Sequence, residues 1–482
     1  MARRLLNNVL ALGGAQLVTM ACGLITSVIL ARSLGPAVYG VLGFGIALLS
    51  YFGLLVNMGM DVHGVREIAR QPTHGLQIVK MVILTRLVFA ALLFLVLILA
   101  LPYFGWSEQL RDVLLIQGMG LFGIALIVDF FFQAEQRLGI VAFRQGGAAV
   151  VGMLAVIILV REPNDLNLAA AIPVSVLILS ALILLTSFWF EVDYNSLPMR
   201  SVSRLDFLRR SAPVALMGVL TTIYINLDIV ILGYMVAEAE VGKYVAASRV
   251  VIMAQAIPSL VHSAFLPALS KDMGNETEGT VVARHLARTV SYFGGAVGGF
   301  GILTAPAIIS LLFGDAFTNA DDALAILMAH AFLFYLTTAF SSPLLAWRCD
   351  KGLTTILIFG AAFNVGLNFL LIPIFGIEGA AAATLITQAS IGIGMMVLAH
   401  RAFGLKHYGL IVRVLIVSLF SLAPIYGIIQ LWPVVSTLSP WVALITLGGG
   451  FLILYVILSA VAGIVTIADM RMLYRPAKCF TH

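Results

Sequence analysis

The chain has 482 residues, of which 61% are hydrophobic and only 11% are charged, with a net charge of +5. A soluble protein would carry about 25% charged residues, so the composition excludes a soluble globular fold and predicts an integral membrane protein. Most of the basic residues lie in loops between apolar stretches, so the positive charge does not indicate a nucleic-acid partner. Three cysteines, Cys22, Cys349 and Cys479, give no disulfide framework.

Fourteen apolar segments are long enough to cross a bilayer, because about 20 helical residues span the hydrocarbon. They predict an all-α integral membrane protein with 14 transmembrane helices, near 9–31, 38–60, 81–101, 113–132, 138–160, 168–190, 211–236, 243–269, 289–313, 322–347, 354–374, 379–400, 409–432 and 441–465. Most loop lysines and arginines then fall on one side, which predicts that both termini are cytoplasmic. Within the ninth span, the small residues of 294–299 predict close approach of neighbouring helices.

Similar stretches recur at an offset of roughly 205–215 residues, as internal repeats of transporters do. Residues 34–40 resemble 232–244, and the Ala-rich start at Leu168 resembles the one at Gly379. Six spans per repeat is an even number, which predicts two six-helix lobes related by a pseudo-two-fold axis along the membrane normal. The predicted parts are an N-terminal lobe, a cytoplasmic linker, a C-terminal lobe, and two additional helices with a tail, at 1–190, 191–210, 211–403 and 404–482.

Charges within the spans need a partner or a watery cavity, because each costs about 2.5–3.5 kcal/mol on insertion. Asp228 and Arg249 lie in the seventh and eighth spans, and we expect them to face each other across the connecting turn. They are either a structural ion pair or part of a cavity in which Arg249 exchanges Asp228 for an anion. Arg144 in the fifth span is a second candidate cation. Arg86 is expected to snorkel to the cytoplasmic surface.

Further polar residues lie where the second and fourth spans are predicted to reach the cytoplasm. They form either a cytoplasmic gate or ordinary solvated helix ends, and the stretch at 61–67 is expected to contain an internal Arg–Glu pair. The candidate gate residues are Asp61, Arg66, Glu67, Asp129, Gln133 and Glu135. The histidines lack metal-site spacing, so no metal site is predicted.

Several of these stretches resemble the bacterial polysaccharide flippases. The resemblance covers almost the whole chain, in order, and is carried by 31–40, 58–69, 129–135, 226–249 and 364–381, the last of which is the most specific match. It implies a two-lobed helical fold that works by alternating access. Separately, the short predicted outer loops indicate that the chain is not an enzyme. The implied substrate is a polyprenyl diphosphate that carries an oligosaccharide repeat unit. The flippase would move it from the cytoplasmic to the outer leaflet of the bacterial inner membrane, for surface polysaccharides such as O-antigen or exopolysaccharide.

The resemblance also implies that arginines in the cavity bind the anionic headgroup, a role that falls to Arg249 and, further, to Arg144 and Arg32. No cofactor is expected. A coupling ion, H⁺ or Na⁺, is not distinguished by the sequence. Implied partners are the lipid-linked glycan, membrane lipids, and the polysaccharide polymerase with its chain-length machinery.

Three alternatives remain open. A drug/cation antiporter of the same multidrug/oligosaccharidyl-lipid/polysaccharide exporter superfamily would need carboxylates in its cavity, whereas the embedded charges here lean basic. A peptidoglycan-precursor flippase would share the fold. A membrane glycosyltransferase or polymerase would need a sizeable outer loop, and the predicted outer loops at 314–321 and 433–440 are too short for one.

Overall fold

The computed structural model describes residues 2–191, 203–271, 276–431 and 439–464, and every regular element in this part is helical. The all-α membrane prediction is confirmed. Among the described residues, eleven helices are long and apolar enough to cross a membrane, or twelve when one bent pair is counted as a span. Two of them, Gly13–Arg70 and Asp350–Phe403, each contain two segments joined at a glycine with non-helical backbone. When the bent pair is counted as one span and each of these two long helices is counted as two, the total is the fourteen predicted helices.

The chain forms two compact units, Met1–Val245 and Ala246–His482. The helices of the first unit, including the start of α10, are α1 Ala2–Asn57, α2 Met60–Arg70, α3 Gly75–Ala100, α4 Glu108–Gly118, α5 Gly120–Leu126, α6 Asp129–Ala134, α7 Leu138–Leu159, α8 Leu166–Glu191, α9 Arg204–Met235 and α10 Glu238–Ala254. α9 packs on α1 and α2, and it therefore belongs to this unit.

Two glycines set the course of α1 and α2. Gly35 has φ 75° and is followed by Pro36, so the helix stops and a new helical segment starts there. Gly59 has φ 70°, and a Cβ at this position would lie 2.9 Å from the Ala215 nitrogen of α9. Only glycine allows both the left-handed backbone and the close approach of α9.

The second unit contains the end of α10 and the helices α11 Ala256–Lys271, α12 Glu276–Phe313, α13 Asp321–Ala346, α14 Asp350–Phe403, α15 Tyr408–Leu431, α16 Pro440–Ala443 and α17 Gly449–Val461. The predicted close packing within 294–299 is confirmed on two faces of α12. Gly294 and Gly298 admit aromatic side chains of α13, whereas Gly295 and Gly299 admit those of α17. Small residues thus let α12 serve as the central helix of this unit.

A shared helix ending supports the predicted repeat. Gln136 and Arg348 both have φ 59°, and each follows the end of a helix. At both ends the next residue's N–H reaches the carbonyl five residues earlier, at 2.8 Å from Arg137 and 2.9 Å from Cys349. The two positions are 348 − 136 = 212 residues apart, within the predicted offset.

The two units meet in sequence at Val245–Ala246, inside α10, and not at the predicted linker 191–210. Residues 192–202 of that linker, and residues 465–482 of the predicted tail, lie outside the described residues. The division into two six-helix lobes with two added helices stays a prediction.

Candidate functional site

The fourth predicted span is interrupted, and two arginines of the first unit reach this break from neighbouring helices. α5 ends at Leu126 and α6 begins at Asp129, with extended backbone at Ile127 (φ −68°, ψ 126°). Non-helical backbone at membrane depth leaves carbonyl groups without helical partners, so neighbouring side chains must supply donors. Arg86 from α3 and Arg144 from α7 both reach this break.

Arg86 is a fully buried cation whose charge is compensated. Only 1% of its surface is exposed. Its Nη1 donates to the Ile127 carbonyl at 3.1 Å, and its Nη2 donates to Asn57 Oδ1 at 2.5 Å and to Asp61 Oδ1 at 2.6 Å. The prediction that Arg86 snorkels is therefore wrong, because hydrogen bonds to a carboxylate, an amide and a backbone carbonyl offset the desolvation cost of burying its charge. The same contacts hold Asp61, a predicted gate residue, against Arg86, although 36% of the Asp61 side chain is exposed.

Arg144 is likewise neutralised, by another predicted gate residue. Its Nε donates to Asp129 Oδ1 at 2.8 Å and its Nη2 to Asp129 Oδ2 at 2.5 Å, the two-pronged geometry that guanidinium and carboxylate favour. Gln145 and Ser180 add contacts at 3.4 Å to Asp129 and Arg144, respectively. The sequence assigned Arg144 to substrate binding and Asp129 to gating, and did not foresee that the two pair with each other.

The remaining gate candidates do not join these two pairs. Arg66 and Glu67 are neighbours on α2, so they point to different faces of the helix, and no ion pair joins them in the described structure. The expected internal Arg–Glu pair is therefore wrong. Glu135 lies 3.6 Å from Arg137 at a largely solvated surface. Gln133 is half-buried in α6. A gating role for these residues stays a prediction.

Asp228 has a partner other than the one expected. This buried carboxylate of α9 accepts a hydrogen bond from the Tyr244 hydroxyl and one from the Ile229 N–H. α9 ends at Met235 and α10 begins at Glu238, so Asp228 lies seven residues before the turn and Tyr244 six residues after it. Arg249 lies eleven residues after the turn, in the second unit. The expected Asp228–Arg249 pairing stays a prediction.

A polar strip between α1 and α9 continues from Asp228. Asn226 Nδ2 donates to the Ser50 hydroxyl at 3.2 Å, and the Tyr51 hydroxyl lies 3.4 Å from the Thr222 carbonyl. These contacts are neutral. Among the described residues of the first unit, no cationic side chain lies within ion-pair distance of Asp228.

Arg249 is half-buried in the second unit. Among the described residues of that unit, no carboxylate lies within ion-pair distance of its guanidinium. Arg32, the other predicted substrate residue, is exposed in the segment of α1 that precedes Gly35. The substrate-binding role of both arginines stays a prediction.

A buried amide and hydroxyl cluster in the second unit escaped the sequence analysis. Asn364 Nδ2 donates to the Thr387 hydroxyl at 3.3 Å, Asn368 Nδ2 donates to Asn364 Oδ1 at 3.0 Å, and Gln388 Nε2 donates to the Thr337 hydroxyl at 2.8 Å. Uncharged polar side chains do not by themselves indicate a cluster in an apolar sequence. The spacing of Asn364 and Asn368, one helical turn apart, does place them on one face of the helix. The cluster holds together the two segments of α14 and the adjoining α13.

Comparisons with known proteins agree with this architecture. A family model described as polysaccharide biosynthesis protein matches residues 5–273. A protein described as an O-antigen transporter from Shigella dysenteriae is 22% identical over 357 residues, covering 73% of this chain and 88% of the relative. One from Escherichia coli K12, with the same description, is 23% identical over 399 residues, covering 79% and 93%.

Two solved structures share the fold. The lipid II flippase MurJ, in an inward closed conformation, matches with a TM-score of 0.75 at 15% identity, covering 96% of this chain and 99% of that one. An outward-facing multidrug resistance transporter of the MATE family matches with a TM-score of 0.61 at 15% identity, covering 82% and 95%. At these identities the likeness establishes the fold alone.

Proposed function

The chain belongs to the family of polysaccharide biosynthesis proteins, as its sequence resemblance predicted, and from this premise we propose that it is a lipid-linked oligosaccharide flippase. Its substrate would be a polyprenyl diphosphate that carries an oligosaccharide repeat unit. Alternating access would move this substrate from the cytoplasmic to the outer leaflet of a bacterial inner membrane. The relatives described as O-antigen transporters and the helical transporter fold support the proposal.

The position of Arg249 inside a predicted membrane span is the structural observation that carries the proposal. Arg249 lies eleven residues into α10 and six residues inside the predicted span 243–269, which at 1.5 Å per residue puts it about 9 Å from the start of that span, within a hydrocarbon layer of about 30 Å. A cation at this depth costs about 2.5–3.5 kcal/mol on insertion and marks a substrate pathway in many transporters. A diphosphate offers the planar pair of oxygen acceptors that a guanidinium binds best.

Arg86 and Arg144 differ from Arg249 in that each is paired with a carboxylate. Arg86 and Arg144 are each paired with an aspartate of their own unit, and an anionic headgroup would have to displace that carboxylate. Arg249 has no carboxylate partner to displace among the described residues of its unit. Arg144 and Arg32 remain secondary candidates for contact with the headgroup.

The proposal is tested by leaflet exchange in liposomes that contain the purified full chain. The substrate is a fluorescent polyprenyl diphosphate oligosaccharide, and its exposure is followed by quenching from outside. We expect Arg249→Ala to slow exchange by about 10- to 100-fold, because a hydrogen bond to a charged group contributes about 1.5–3 kcal/mol. Arg249→Lys should retain part of the rate, since it keeps the charge but loses the planar fork.

Arg413→Ala is the matched control, because Arg413 is an exposed arginine on α15 of the same unit. It should exchange substrate at the wild-type rate. A wild-type rate for Arg249→Ala, with normal membrane insertion, would refute the role of Arg249. Absence of exchange by the wild-type chain would refute the flippase itself.

One observation favours a second candidate, cation-coupled drug export. Asp228 is a buried carboxylate held by neutral donors, and it can bind a proton or a cationic drug without breaking an ion pair within its unit. Efflux of a cationic dye from the same liposomes, without leaflet exchange of the lipid-linked oligosaccharide, would favour this antiporter.

A further inference from the structure

Four aromatic side chains form a cluster at one end of the first unit, hereafter the aromatic platform. Phe104 and Trp106 stack with ring centres 4.6 Å apart and planes 11° apart. Phe44 lies edge-on to Trp106 at 6.0 Å, and Tyr234 lies 6.0 Å from Trp106 and 5.8 Å from Phe44. The platform therefore joins α1, the loop between α3 and α4, and the end of α9.

Glycines allow the platform to form. Gly105 has φ 61°, and this left-handed residue turns the loop so that its two aromatic neighbours stack on each other. A Cβ at position 233 would overlap the Phe44 ring, so Gly233 lets that ring lie against the backbone of α9. The arrangement is set by the backbone and does not depend on flexible side chains alone.

Two of the four members of the platform are accessible, and polar groups lie beside them. Phe104 is 52% exposed and Tyr234 is 53% exposed. Next to them, the Ser107 hydroxyl donates to the exposed Glu238 carboxylate at 3.2 Å, which ties the same loop to the start of α10. An exposed pair of aromatic faces thus lies beside a carboxylate and a hydroxyl.

We propose that the aromatic platform is a glycan subsite that stacks a pyranose ring of the transported oligosaccharide, an inference that rests on the proposed flippase function. One face of a pyranose is lined by C–H groups, and these are attracted to the electron-rich face of an aromatic ring. The hydroxyls at the rim of the sugar can donate hydrogen bonds to the Glu238 carboxylate. Phosphate would be repelled by Glu238, so the site suits the glycan and not the diphosphate.

The position of the platform fits glycan release. It lies beyond the end of α3, at the opposite end of that helix from α2, which contains Arg66 and Arg70. The bias of basic residues predicts that α2 is on the cytoplasmic side and the platform on the outer side. A glycan held there would be on its way to the outer leaflet.

The test measures sugar binding without transport. The full chain in nanodiscs is mixed with the soluble oligosaccharide released by mild acid from the lipid-linked glycans of the host strain. Saturation-transfer NMR then irradiates the aromatic protons and detects transfer to the sugar C–H protons. Wild type and Trp106→Phe should show transfer. Trp106→Ala should weaken binding by about three- to tenfold, as loss of an aromatic contact of about 0.5–1.5 kcal/mol predicts.

Trp441→Ala provides the control, because Trp441 of α16 is a tryptophan with 65% exposure outside the platform. It should bind the oligosaccharide as wild type does. If the sugar receives no transfer from the wild-type protein, the proposed glycan subsite is refuted. An equal loss of binding in both alanine variants would also refute it, because Trp106 would then act as a general membrane-interface residue. Leaflet exchange in liposomes is measured separately, so a failed platform leaves the flippase proposal standing and a failed flippase is detected without it.

Discussion

Removal of Arg86 should destabilise the first unit strongly. Arg86→Met keeps most of the side-chain volume and removes the charge together with three hydrogen bonds at 2.5, 2.6 and 3.1 Å. Removing one partner of a buried ion pair costs about 3–5 kcal/mol, because the remaining charge stays desolvated. Asp61 keeps 36% of its side chain exposed and can regain water, which lowers the cost. The Ile127 carbonyl loses its donor, which adds about 1–3 kcal/mol. We therefore expect a loss of about 3–5 kcal/mol.

A double-mutant cycle separates the ion pair from simple packing loss. The free energy of unfolding is measured by tryptophan fluorescence in detergent mixtures for wild type, Arg86→Met, Asp61→Asn and the double variant. Because each single variant leaves a charge without its partner, the double variant should be less destabilised than the sum, by about 1–3 kcal/mol. Arg413→Met, at an exposed arginine of α15, should change stability by less than about 0.5 kcal/mol. Additive effects, or a stable Arg86→Met, would refute the role assigned to this pair.

Two further predictions concern packing and pH. A Cβ at Gly242 of α10 would overlap the Pro36 carbonyl of α1 and lie 3.0 Å from the Gly40 nitrogen; Gly242→Ala should therefore cost about 1–3 kcal/mol of unfolding free energy. Gly366→Ala, at a helical glycine with open space around it, should cost nothing, and equal melting temperatures for the two would contradict the close approach. Burial lowers the pKa of His407, in the loop between α14 and α15, from 6.5 to about 4. Its stabilising contribution is thus complete above pH 6.5 and is lost as the pH falls towards 4, by roughly 2–3 kcal/mol at pH 4.5. His407→Gln should lose stability less steeply over pH 7.5–4.5, and parallel pH profiles of unfolding free energy would contradict this.

The hairpin pairs show how far sequence reasoning reaches and where it stops. Asp129 and Arg144 lie seven residues before and eight residues after the turn at Gln136, so a count from that turn would have paired them. The same count from the α9–α10 turn, seven residues before it and six after it, would have paired Asp228 with Tyr244. Such a count needs the turn to be known within one or two residues, and helix ends in an apolar sequence are not known that well.

Long-range pairs could not be predicted in this way. Arg86 meets Asp61 and Asn57 because α3 packs beside the break between α1 and α2, and it reaches Ile127 because the fourth span is broken there. The hydropathy of the sequence does not indicate that break, because the residues next to it on both sides belong to one apolar stretch. The aromatic platform could not be predicted for the same reason, because its members come from three distant segments and each of them alone is an ordinary aromatic residue.

The sequence by itself determined that the chain is an all-helical membrane protein, because each helix must satisfy its own backbone in lipid and therefore leaves a local apolar signature. It also determined the family, since the motifs that carry the resemblance are local. Only the tertiary structure decided which charges are neutralised. The helix contacts that bring Asp61 to Arg86 and Asp129 to Arg144 are non-local, and they leave Arg249 as the arginine on which the proposed headgroup contact rests.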